Sequence, residues 1–144
     1  MLFKSLIPEV YQTNTNGNSH LDILNVVRVS KFADDDAIKT ILNEKNRISF
    51  KLSDLCIANN IDNGENHDAI TDCLNSIDLA KIIMKKTSKI WNDALLLTTK
   101  KDTENFILKN KIYTSLEYFY GNTHPFLCHH ILFHPQYQWS INWD

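Results

Sequence analysis

The last thirty-two residues, Tyr113 to Asp144, constrain this fold most: they hold nine of the fifteen aromatic residues and four of the six histidines, His124, His129, His130 and His134. Ring surface on that scale has to leave water, so this end either closes a core or docks a partner. Pro125 at a first-turn position and Pro135 as terminator frame a helix of about ten residues. The apolar run Phe126 to Phe133 suits a strand equally well. Beyond it, Tyr137, Trp139, Ile141 and Trp143 alternate, the clearest strand pattern in the chain. A strand there needs a partner, and Ile48–Leu52 and Ile23–Val29 have the right character.

The segments before this tail read as helices. Ser19 followed by Asp22 resembles a capping box opening a helix over Leu21, Leu24 and Val27, with a strand at 23–29 as the alternative. Asp34, Asp35 and Asp36 precede Ala37, Ile38, Ile41 and Leu42, where acids at the cap and first turn suit the helix dipole better than a metal site. Ile48, Phe50 and Leu52 alternate, after which Ser53 can cap a short helix carrying Leu55, Cys56 and Ala58. Past a turn at Asn59–Asn66, the stripe Ala69, Ile70, Cys73, Leu74 and Ile77 leads into the strongest element. This is a long central helix from Ser76 or Asp78 to about Thr98, kinked near Thr87 and Ser88. Thr99 and Asp102 open a further helix reaching about Tyr120, with Gly121 as its left-handed stop. The expected fold is mainly α: a compact single-domain helical bundle around that central helix, with room for short β-strands including one at the C-terminus. The domain is 1–144, with 1–18 an irregular N-terminal arm.

Composition closes several routes to function. Three glycines, Gly17, Gly64 and Gly121, leave no phosphate-cradling loop or dinucleotide fingerprint. Cys56, Cys73 and Cys128 are odd in number and dispersed, so they read as free thiols in a reducing compartment. The longest apolar run, Ala94–Leu97, is far short of the ~20 residues of a membrane span. Pro8 and Glu9 interrupt any signal-peptide core. The expectation is a soluble cytoplasmic protein with no cofactor and no membrane partner.

Charge points to a working surface. Residues 1–80 carry seven Lys and Arg against twelve Asp and Glu, and residues 81–144 carry eight against five. Between Leu52 and Ala80 lie Asp54, Asp62, Glu65, Asp68, Asp72 and Asp78 without one Lys or Arg. Such a field speeds and orients encounter with a basic partner. The first expectation is therefore a non-enzymatic protein-binding module that presents Asp54, Asp62, Glu65, Asp68 and Asp72. Its model is an immunity or antitoxin-type inhibitor masking a basic toxic nuclease.

Two alternatives stand beside it. Lys81, Lys85 and Lys89, at i, i+4 and i+8, form a stripe able to track phosphates. Two arginines, a mildly acidic chain and no aromatics interleaved with the lysines argue against nucleic acid as the partner. The other alternative is a hydrolase or metal protein built on His129, His130 and His134. On a helix, His124–Cys128 and His130–His134 make two pairs pointing in different directions, and two ligands do not close a zinc site. No catalytic residue and no metal ligand is assigned.

Overall fold

The computed structural model describes residues 18–61, 69–133 and 141–143. The arm at 1–17, most of the turn at 59–66, and Pro135, Tyr137 and Trp139 lie outside the described residues.

The chain enters through α1, Ile23–Ala33. Its cap is Asp22, whose carboxylate accepts from the Leu24 N–H at 2.9 Å, satisfying a donor that the helix cannot pair itself. Ser19, the other half of the expected capping box, donates instead to Thr98 Oγ1 at 2.8 Å. The three aspartates stand at the end of α1 and cap no helix of their own. Asp34 is its C-cap residue, its side chain accepts from the Asp36 N–H at 2.9 Å, and Asp35 pairs with Lys31 at 2.8 Å. Ala37 and Ile38 are buried without helix, and Leu42 and Ile48 form an isolated antiparallel bridge.

After α2, Leu52–Asn59, which Asn60 stops in the left-handed conformation (φ 56°), come α3, Ala69–Lys86, and α4, Ser88–Leu95. The expected single central helix is two helices broken at Thr87 (φ −129°, ψ 53°). The Thr87 hydroxyl lies 3.0 Å from the buried Ser30 hydroxyl and 3.2 Å from the Ile83 carbonyl. The break therefore settles a polar group of α1 that would otherwise be buried alone. Val26, Val27, Ile38, Leu55, Leu79 and Ile83 form the core between α1, α2 and α3.

The mainly α expectation fails at residue 110. α5, Lys100–Lys109, starts as predicted, with Thr99 accepting from the Asp102 N–H at 3.1 Å. It ends at Asn110, and the next segment is β1, Ile112–Phe119. This strand pairs antiparallel with β2, Asn122–Phe133, which pairs antiparallel with β3, Ile141–Trp143, giving the order β1-β2-β3. The architecture is a helical layer carrying a three-stranded antiparallel sheet, so a purely helical bundle is ruled out. Gly121 is left-handed (φ 84°), but as the second residue of a hairpin turn whose first is Tyr120 (φ 52°). Two positive-φ residues are what a tight turn needs to match the twist of its strands.

Pro125 sits inside β2, opposite Leu116. A proline is tolerated there because β3 pairs only with His130–Phe133, so no described strand asks for the missing N–H. One face of the hairpin, with Thr114 and Leu116, lies over α1 and α4 and leaves an apolar cleft of about 380 Å³ against Val26, Val29 and Ile90.

Candidate nucleic-acid interface

The two arginines, which argued against nucleic acid when counted, are both placed against the hairpin. Arg28 projects from α1 so that its guanidinium carbon lies 3.9 Å from the Tyr118 ring centre and 5.7 Å from that of Phe50. Phe50 and Tyr118 meet edge to face at 5.5 Å. The guanidinium gains from the ring quadrupole, and its buried Nε has no hydrogen-bond partner among the described residues.

Arg47 comes from the loop closed by the Leu42–Ile48 bridge. Asn43 shapes that loop by accepting from the N–H groups of Lys45 and Arg47 through its side chain. Arg47 Nη1 donates to the Tyr120 carbonyl at 2.8 Å. Its Cδ lies so near Gly121 that a Cβ there would stand 2.7 Å away, so only glycine lets the arginine lie across the turn. Lys45 and Lys51 line a groove beside this loop, with Glu44 and Asp54 among the other lining residues.

On the other face of the hairpin, Phe119 stacks on His124 at 4.0 Å and on Phe126 at 6.2 Å. Tyr120 meets Phe119 edge to face at 5.6 Å and is 81% exposed. Further along this face Tyr113 lies opposite Cys128 and meets Phe106 edge to face. Burial, with the Cys128 thiol adding to it, pushes the Tyr113 hydroxyl above its ordinary range.

The sequence-derived sites fare differently. Of the acidic set, Asp62, Glu65 and Asp68 lie outside the described residues. Asp54 is in the first turn of α2 and accepts a short hydrogen bond from Ser49, while Asp72 is exposed in the first turn of α3. The Cys56 thiol is pushed up first by burial and then by the charges of Asp72 and Asp78. Among the described residues no three His, Cys, Asp or Glu side chains converge as a metal site.

The lysine stripe is interrupted. Lys81 pairs with Asp78 at 2.7 Å, Lys89 pairs with Asp93 at 2.7 Å, and Lys89 sits on α4 beyond the Thr87 break. The histidines do not form one cluster. His129 and His130 are neighbours on a strand and face opposite sides, His129 Nδ1 contacts the Lys111 carbonyl, and His134 is outside the described residues. The i, i+4 pairing of His124 with Cys128 required a helix that is not there.

Arg28, Arg47, Tyr118 and Tyr120 had no place in the sequence-derived sites. The local signal for the turn was weak: Gly121 marks a break, but Tyr-Gly is not one of the dipeptides that announce a hairpin, and the flanking runs do not alternate cleanly.

No protein-family model matches the chain. It is similar to exodeoxyribonuclease I of Buchnera aphidicola subsp. Baizongia pistaciae, 32% identical over 124 residues, which is 83% of this chain and 26% of the relative. It is also similar to exodeoxyribonuclease I of Haemophilus influenzae, 32% identical over 92 residues, 64% of this chain and 20% of the relative. Among solved structures, E. coli exonuclease I in complex with a dT13 oligonucleotide superposes with a TM-score of 0.76 at 20% identity, over 95% of this chain and 30% of that one. An ExoI/SSB-Ct complex gives 0.73 at 20% identity, over 94% and 30%. The chain spans about a quarter of the length of the curated relatives it matches.

These likenesses overturn the non-enzymatic toxin inhibitor. The relatives bear an enzyme's name, and solved neighbours hold dT13 and dA16 oligonucleotides, so nucleic acid can no longer be set aside as a partner class. No helix among the described residues is long and apolar enough to cross a membrane. The fold of this chain is that of a part of exonuclease I.

Proposed function

We propose that this chain is the DNA-holding part of an exodeoxyribonuclease I-like protein that works in the cytoplasm. The observation that carries the reading is the 32% identity spread over 83% of the chain, a span long enough to include most of the helical layer whichever end it omits. The groove lysines Lys45 and Lys51 with Arg47 supply cations for phosphates, and the rings at the hairpin supply faces for bases. A nuclease centre that holds divalent cations needs converging carboxylates. The described residues do not provide such a set, so no hydrolytic step is assigned to them. A gel shift with a homothymidylate strand at low salt tests the reading: a retarded band that fades as salt rises supports it, and no retardation overturns it.

A second reading has its own observation. Asn25, whose Oδ1 is 3.5 Å from Arg28 Nη1, also lines the apolar cleft between α1, α4 and β1. An arginine beside an apolar cleft suits the carboxylate and last apolar side chain of a peptide. One solved neighbour is an ExoI/SSB-Ct complex. A fluorescent peptide of the SSB C-terminus that binds wild type and not Arg28→Ala supports this reading, whereas equal binding by both proteins removes it.

A further inference from the structure

Tyr120 occupies a position that its own side chain disfavours. At φ 52° a bulky residue is strained, and the first position of a two-residue turn with positive φ is better filled by Asn, Asp or Gly. The ring gains little by packing, since Tyr120 is 81% exposed, more than any other exposed large apolar residue described. Backbone strain combined with an exposed ring is the pattern of a residue kept for contact.

The surroundings hold the ring ready. Phe119 stands edge to face behind it and is itself stacked on His124. Arg47 fixes the turn through the Tyr120 carbonyl and lies across Gly121. A guanidinium has five N–H donors, so one bond to a carbonyl leaves donors for an anion. Among the described residues no ion pair to Arg47 is found.

From this we infer that Tyr120 is a stacking platform for a nucleobase of single-stranded DNA, with Arg47 beside it to hold the adjoining phosphate. The inference rests on the DNA-holding reading and names its contact. Stacking on an aromatic ring serves any base, so the platform is indifferent to sequence and selects for unpaired strands. An apolar protein surface is the competing occupant of an exposed ring.

Tyr120→Asn separates the ring from the turn, because Asn-Gly is the favoured dipeptide for this geometry. In the full chain, Tyr120→Asn should keep or raise the melting temperature and bind a thymidylate 13-mer about tenfold more weakly. Tyr120→Trp should bind at least as tightly as wild type. A strand of the same length with abasic sites should bind wild type and Tyr120→Asn equally. Unchanged thymidylate binding by a folded Tyr120→Asn overturns the platform and leaves the DNA reading standing. Absence of binding by wild type overturns both. Self-association of wild type that Tyr120→Asn abolishes, with DNA binding unchanged, assigns the ring to a protein contact and also overturns the platform.

Discussion

The guanidinium of Arg28 on α1 lies 3.9 Å from the centre of the Tyr118 ring on β1, and this stacked pair is one of the contacts that join the helical layer to the hairpin. Its worth follows from geometry: a partly buried cation over a ring contributes on the order of 1–2 kcal/mol, and the arginine stem adds packing. Arg28→Ala should lower unfolding stability by about that amount. Tyr118→Phe should cost little, since it keeps the ring face, and Tyr118→Leu should cost as much as the arginine change. Urea unfolding of the three variants checks the order.

Ser30 is fully buried and meets Thr87 at 3.0 Å. Thr87→Val removes that partner and leaves the Ser30 hydroxyl buried alone, at a cost of about 1–3 kcal/mol. The double change Ser30→Ala with Thr87→Val should recover part of the loss, because neither polar group remains. A double-mutant cycle measured by denaturant unfolding decides it, and strictly additive effects would refute the pairing.

Cys56 and Cys128 are buried and Cys73 is exposed. A thiol reagent should therefore modify Cys73 quickly and the other two only on unfolding. The raised Cys56 value also has a sign. A thiol whose folded-state pKa lies above its unfolded value holds its proton more tightly when folded. Its contribution is then complete below the ordinary thiol value of 9.0 and is lost as pH rises through the folded value. Stability should fall between neutral and strongly alkaline pH, and Cys56→Ala should remove that thiol's part of the slope.

Asp72 is exposed in the first turn of α3, within the acidic stretch first read as a docking face for a basic protein. On the DNA reading its charge repels the ligand. Asp72→Asn, assayed at low salt with a chelator present, should tighten oligonucleotide binding by about twofold. Isothermal titration with the same oligonucleotide checks the direction, and weaker binding by Asp72→Asn would contradict it.

How far the sequence could be read depended on whether a local rule or a long-range contact decided each element. Thr99 declares the start of α5 because a cap is a contact between near neighbours, whereas the Ser19–Asp22 spacing marks the start of α1 three residues early, Asp22 itself being the cap. Thr87, a β-branched hydroxyl residue, marks the end of α3 for a similar local reason. The hairpin escaped because Ile112, Tyr113, Leu116 and Phe119 fit a helical stripe as well as two strand faces. The choice was made by pairing with β2, up to seventeen residues away in register. The interface was still less visible. Arg28 meets Tyr118 across ninety residues and Arg47 meets Tyr120 across seventy-three, so neither appears as a motif. Counting arginines gave the wrong sign because their number says nothing about what they face.

The most direct measurement of DNA holding is the anisotropy of a labelled thymidylate 13-mer titrated with the full chain across a salt series. If Arg47 with Lys45 and Lys51 contacts two to three phosphates, log affinity should fall against log salt with a slope of about −1.4 to −2.1. No binding at the lowest salt, or binding indifferent to salt, would contradict the account.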